Sequence, residues 1–266
     1  MSSDTQQGRF EGKIALVTGA GSGMGAAVAR QMAAEGARVV VLADVNGEAA
    51  AAVAKELSVG RAVPLDVADG AAVDAAVEDV VREHGRLDVL VHAAGVDDPE
   101  AKQLIADALV EGRPPEVTDR LGDSAWRRVM RINLDGTFHV LRAAVRVMRP
   151  VRAGAIVVIG SSCVFDTPVG YPHYAASKAG VHALSQAVAK EVIASGIRVN
   201  VVAPGPTETG MAARTPDVLR GGFADPRVRP YATPEEIADI ALFLASDSAA
   251  NLVGAVLLAN GGRFTA

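Results

Sequence analysis

The chain has 266 residues, 50% of them hydrophobic but only 4% aromatic, and carries 26 basic against 31 acidic side chains for a net charge of -5. That size allows one large α/β domain or two small ones. The acidic balance argues against nucleic acid as a partner, because phosphate binding wants a basic face, and no apolar run approaches the ~20 residues of a membrane helix. A single cysteine, Cys163, excludes an internal disulfide and fits a reducing cytoplasm. The polar stretch 1–9 lacks the apolar core of a signal peptide and reads as a disordered lead to one domain over 10–266.

In chain order, short β-rich runs alternate with amphipathic stretches. Strands are expected at 13–18, 38–43, 62–65, 87–93, 155–160, 197–203 and 255–259, and helices at 24–35, 47–57, 71–84, 124–148 and 171–195. Such alternation predicts a Rossmann-type doubly wound parallel sheet of about seven strands with helices on both faces. Val, Ala, Leu and Ile must fill its core, which suits parallel strands buried under helices. Two segments break the rhythm: an insert at 96–122 with a possible short helix over 100–109, and an irregular stretch at 207–230. Both leave strands at their carboxyl ends, where open α/β sheets bind ligands, so both are candidate substrate walls or lids.

After the first strand comes Thr18-Gly19-Ala20-Gly21-Ser22-Gly23-Met24-Gly25. Glycines between a strand and a helix let backbone approach a pyrophosphate, and the helix N-terminus near Met24 supplies free N–H groups. A plain structural turn is the competing reading. Asp44 ends the second strand, where a carboxylate can accept two hydrogen bonds from an adenosine ribose and repel a 2'-phosphate. NAD is therefore favoured over NADP. Asp66-Val67 closes the third strand, where Asp66 either reaches the adenine amino group or starts the next helix turn.

Tyr174 and Lys178 are four apart and share a helix face. An ammonium near a phenol favours the phenolate, so Tyr174 could exchange a proton near neutral pH. Ser161, at the end of the fifth strand, could hold a carbonyl or alcohol oxygen, and Asn133 could organise a water beside Lys178. A solvated helix face and a strand-end cap are the plainer alternatives. The five histidines show no metal-ligand spacing with the cysteine, so no metal site is expected. Cys163 reads as a small buried residue.

With these motifs in order, the chain resembles the short-chain dehydrogenase/reductase family, in its single-domain branch. The resemblance runs from Phe10 to Gly262 and adds the Ala94-Gly95 turn, Asn200 to Gly205, Pro234 to Ala238 and Asn260-Gly261-Gly262. It is nearest to 3-oxoacyl-carrier-protein reductase-like and hydroxysteroid dehydrogenase-like members.

The resemblance implies Tyr174 as acid/base, with Lys178 binding the nicotinamide ribose and lowering the tyrosine pKa. Ser161 would orient substrate and Asn133 support the proton relay. The coenzyme would meet Gly19, Gly21, Ser22, Gly23, Met24, Gly25, Asp44, Asp66, Val67, His92, Ala94, Gly95, Tyr174, Lys178, Pro204, Gly205, Thr207 and Thr209. It also implies a homotetramer pairing the helices at 124–148 and 171–195, with the apolar face Val181, Leu184, Val188 and Val192 available.

Three departures stand out. The family's Asn-Asn-Ala-Gly is His92-Ala93-Ala94-Gly95 here, which removes an asparagine that steadies neighbouring strands. The second strand is one residue longer than usual, so Asp44 is in register only if a bulge absorbs the extra residue. The insert at 96–122 is longer than is typical and would overhang the site.

The expected function is an NAD(H)-dependent oxidoreductase interconverting a small secondary alcohol and a ketone, with no nucleic acid or membrane partner. The alternatives are an idle dinucleotide-binding sensor or scaffold and an NADPH-dependent 3-oxoacyl reductase.

Overall fold

The computed structural model describes residues 8–221, 229 and 231–266. Most of the expected lead, and Gly222, Pro226 and Pro230 of the irregular stretch, lie outside the described residues; Arg9 is described and pairs with Glu35.

Seven strands form one parallel sheet in the order β3-β2-β1-β4-β5-β6-β7. They are β1 (Ile14–Thr18), β2 (Val39–Asp44), β3 (Gly60–Pro64), β4 (Val89–His92), β5 (Gly154–Ile159), β6 (Ile197–Pro204) and β7 (Val256–Ala259). The order reverses between β1 and β4, which opens a crevice at the carboxyl ends of those strands.

Helices cover both faces: α1 (Gly23–Ala34), α2 (Gly47–Lys55), α3 (Gly70–His84), α4 (Pro99–Val110), α5 (Asp123–Met130), α6 (Gly136–Val151), α7 (Pro172–Val192), α8 (Gly210–Ala213), α9 (Asp217–Gly221) and α10 (Pro234–Ala245). Alternation along the strands divides the core. Ala15, Val17, Val40 and Leu42 pack with Val28, Met32, Ile237 and Leu242 of α1 and α10. Ile14, Leu16, Val39 and Val41 pack with Val77, Leu141, Met148 and Val181 of α3, α6 and α7. Each fully buried Leu, Ile or Val contributes about 1.5–3 kcal/mol.

The caps are written in the sequence. Asp69 accepts from Ala71 N and Ala72 N to start α3, and Gly85, at φ 89°, ends it in the left-handed region. Asp98 accepts from Glu100 N ahead of Pro99 at the first turn of α4. Thr233 and Glu236 form a capping box on α10.

Three differences from expectation concern elements. The single helix expected at 124–148 is α5 and α6 joined by a π-helical turn, Arg131–Asp135, which carries Asn133. α10 was not among the expected helices. The irregular stretch contains α8 and α9 in its described part.

Candidate active site

At the glycine turn, side chains are excluded by backbone. A Cβ on Gly19, at φ +67°, would sit 2.7 Å from Ala94 N, and one on Gly25 would sit 2.2 Å from Gly19 O. The first close approach locks β1 to the turn after β4; the second presses α1 onto the strand end. Ser22 begins α1 without a side-chain cap, and no acidic residue lies in its first turn. Its first N–H groups are thus available to an anion, which fits a pyrophosphate. Opposite, a Cβ on Gly23 would meet Thr209 Cγ2 at 3.1 Å, so the loop after β6 borders this turn. Thr207 Oγ1 donates to Gly205 O at 3.1 Å and steadies that loop.

The surroundings of Asp44 follow from the pairing of β2. Arg38 N and Val39 N both donate to Lys13 O, at 2.8 and 3.4 Å, where β2 begins. From Val39 to Asp44 the pairing is uninterrupted. Asp44 Oδ2 accepts from Gly21 N at 2.9 Å and Oδ1 from Asn46 N at 2.9 Å. The carboxylate therefore faces the glycine turn, with lone pairs left for two hydroxyls. Asp66 Oδ1 accepts from Ala68 N at 2.9 Å and shapes the turn before α3. Val67 O meets His139 Nδ1 at 3.0 Å.

The four residues expected to move a proton converge at the ends of β4 and β5. Lys178 Nζ donates to Ile159 O at 2.9 Å and lies 3.5 Å from where a Gly95 Cβ would be. Asn133 clamps Val96 through both its groups, accepting from Val96 N at 2.8 Å and donating to Val96 O at 3.0 Å; it also donates to Ser177 Oγ at 3.1 Å. Ser161 Oγ accepts from Cys163 N at 3.2 Å. Burial holds Lys178 down to about 8, with Cys163 opposing. Burial pushes Tyr174 above its ordinary value, helped by the charges of Cys163 and Asp97 and opposed by a hydrogen bond with Ser161. The lowering expected from Lys178 is not among the influences on the phenol in this arrangement, where loss of solvent dominates.

Sequence reasoning missed what three groups touch, His92 having been expected only as a coenzyme contact. The ring of His92 replaces the lost asparagine rather than leaving a gap: Nδ1 meets Thr18 Oγ1 at 2.7 Å and Nε2 meets Thr137 Oγ1 at 3.1 Å. Thr137 Oγ1 donates to Asn133 O at 2.6 Å, so it accepts from His92 Nε2–H, and Nδ1 accepts from Thr18. This directed chain ties β1 through β4 to the π turn. Burial, with the Lys178 charge, lowers His92 to about 3, so it stays neutral. His182, four residues beyond Lys178, accepts from Ser161 N at 3.2 Å through Nε2, and burial lowers it to about 4. A Cβ on Gly160 would lie 2.2 Å from that same nitrogen, so the glycine is what lets His182 in. The spacing Tyr174, Lys178, His182 was the available signal.

The third missed group is a buried ionic cluster of Asp97, Asp98, Lys102 and His173 where the insert meets α7. His173 Nε2 lies 3.0 Å from Asp98 Oδ2, so the histidine braces the helix start rather than facing the crevice. Asp98-Pro99 at a helix start was its readable trace.

A glycine turn opening onto a crevice beside a Ser–Tyr–Lys–Asn cluster defines a dinucleotide-binding oxidoreductase. A family model described as short chain dehydrogenase matches residues 13–218. The 3-oxoacyl-[acyl-carrier-protein] reductase FabG of Escherichia coli (strain K12) is 37% identical over 257 residues, 96% of this chain and 98% of that protein. The D-threitol dehydrogenase of Mycolicibacterium smegmatis (strain ATCC 700084 / mc(2)155) is 38% identical over 96% of this chain and 94% of its own. The cis-4-hydroxycyclohexanecarboxylate dehydrogenase of Sinomonas cyclohexanicum is 40% identical over 95% and 97%. The crystal structure of gox2181 superposes with a TM-score of 0.83 at 30% identity, covering 95% of this chain and 96% of that one. The chain belongs to the short-chain dehydrogenase family. It is an oxidoreductase of small alcohol/ketone or 3-oxoacyl substrates that uses a nicotinamide dinucleotide coenzyme. No helix among the described residues is long and apolar enough to cross a membrane.

Proposed function

We propose that the protein is an NAD(H)-dependent dehydrogenase of a compact secondary alcohol or its ketone, with Tyr174 as the proton donor and acceptor. The observation that carries the coenzyme choice is Asp44, whose carboxylate faces Gly21 at the point where a ribose would lie. A 2'-phosphate there would meet a fixed negative charge, which costs several kcal/mol. The bound nicotinamide supplies or accepts the hydride. Gly19, Gly21, Ser22, Gly23, Met24 and Gly25 would hold the pyrophosphate, and Pro204, Gly205, Thr207 and Thr209 the carboxamide end. Asp66 and Val67 would meet the adenine, and His92, Ala94 and Gly95 would line the middle of the crevice.

The chain's own residues handle the proton. Ser161, braced from behind by His182, offers its hydroxyl to the substrate oxygen. Tyr174 exchanges a proton with that oxygen, and Lys178 and Asn133 would connect it to solvent. A bound coenzyme would give Lys178 ribose hydroxyls to hold and bring its charge to bear on Tyr174.

The test is coenzyme preference with a panel of secondary alcohols, followed by reduction of the nicotinamide. NAD should be preferred, and Asp44→Ala should lower kcat/KM for NAD by about tenfold while raising it for NADP. A wild-type preference for NADP overturns the coenzyme assignment. The relatives named 3-oxoacyl reductases support a second reading, an NADPH-dependent 3-oxoacyl reductase, for which that preference would be the signature. Coenzyme binding without turnover of any alcohol or ketone would favour an idle sensor. A cytoplasmic setting and a homotetramer belong to the same proposal.

A further inference from the structure

The insert at 96–122 and the segment after β6 are joined by one side chain. Lys102, on α4, is only 7% exposed, and its ammonium has one ionic and two hydrogen-bonding partners. It pairs with the Asp97 carboxylate and donates to Met211 O at 3.1 Å and Thr215 Oγ1 at 2.8 Å. Met211 and Thr215 sit in and just after α8, so an insert lysine fixes the far segment at two points. Asp97 itself is 5% exposed; its other oxygen lies 3.5 Å from Arg214, and its backbone O accepts from Arg128 at 2.8 Å. Beside this knot, Ala101, Ile105 and Val117 form an apolar cluster with Leu104, Leu219 of α9 and Tyr171.

The knot stands next to the reacting group. The Asp97 charge is felt by both Tyr171 and Tyr174, and Tyr171 ends the turn that leads into α7. The neighbouring carboxylate Asp98 holds His173, one residue before Tyr174, and lies 3.9 Å from Arg128. A buried cation held by a carboxylate and two further acceptors is a rigid joint, because releasing it strands that carboxylate out of water.

We infer that Lys102 and Asp97 are specificity-determining residues: by fixing the 211–215 segment against the insert they wall off the substrate side of the crevice, so that compact rings are accepted and extended acyl chains excluded. This rests on the reading of Tyr174 as the reacting group. The buried apolar cluster backs the joint from behind, and the ion pair supplies the stiffness that keeps a longer chain out.

The test compares wild type, Lys102→Met and the charge-neutral double variant Asp97→Leu with Lys102→Met, which removes the pair without stranding a charge. Two readouts are taken on the whole protein. The first is the ratio of kcat/KM for cyclohexanol to that for a 3-hydroxydecanoyl thioester. The second is the rate of tryptic cleavage after Arg214, followed by mass spectrometry. Both variants should lower the ratio by about tenfold and speed cleavage by a similar factor. An unchanged ratio, or equal protection of the Arg214 bond in the double variant, overturns the inference. Should wild type turn over no alcohol at all, the reading of Tyr174 fails by itself, and the cleavage rate still decides whether Lys102 holds the segment.

Discussion

His92 and His182 are both held neutral, and each must be neutral to do its work. His92 uses one nitrogen as acceptor and the other as donor in the chain from Thr18 to Asn133, and His182 uses Nε2 to accept the Ser161 amide. Their folded pKa values, about 3 and about 4, lie below the ordinary 6.5. Between those values and 6.5 the unfolded chain takes up protons that the folded chain refuses. Stability is therefore complete above pH 6.5 and falls as pH drops below it, by about 1.4 kcal/mol per pH unit for each histidine. Urea midpoints measured at pH 7 and pH 5 should show that loss, and His92→Asn should roughly halve it; a flat profile contradicts the neutral assignment. The same scale shows what sequence could tell. Asp44 was visible as a carboxylate at a strand end, but its contact with Gly21 was not, because it is made across 23 positions of chain. His92 was read as a loss of an asparagine, because a substitution in a motif shows what has gone and not what the new ring reaches.

At the scale of elements, α7 presents Tyr174, Lys178 and His182 at successive turns of one face. Lys178 grips Ile159 O and His182 accepts from Ser161 N, so the helix holds the end of β5 by a donor and an acceptor together. Gly160 is the space that makes this possible. Gly160→Ala should destabilise the protein by about 1–3 kcal/mol through overpacking, and His182→Ala should relieve much of that cost in the double variant. Thermal melts of the four proteins give the coupling; strict additivity contradicts the contact. The strands were legible because Val-, Ile- and Leu-rich runs buried on both faces look alike wherever they occur. The π turn was not, since its extra residue is invisible to a 3.6-residue period over 124–148, and it is the turn that aims Asn133 at Val96 and Ser177. The capping box at Thr233 and Glu236, with Pro234 between them, marked α10 plainly; it was read as a motif and its period went unused.

For the whole molecule, the apolar residues Val181, Leu184, Val188 and Val192 face inward: Val181 and Val192 are buried, and Leu184 and Val188 pack against the same core. Only Leu184 and Val188 of that set keep some exposed surface. Outward apolar side chains on α5 and α6 include Trp126 and Phe138, 41% and 47% exposed. If these helices pair as proposed, light scattering should give a mass about four times 27.3 kDa, and Trp126→Glu should lower it; a monomer mass in wild type contradicts the tetramer. Substrate identity was beyond the sequence for a physical reason. It depends on how the insert meets the segment after β6, and that junction is made by Lys102 reaching Met211 and Thr215 across more than 100 positions of chain. The most direct measurement is turnover by Tyr174→Phe, with NAD and the best secondary alcohol, beside calorimetric binding of NAD to the same variant. Binding should persist while kcat falls by about 10²–10⁴-fold; a fully active variant contradicts proton transfer through Tyr174.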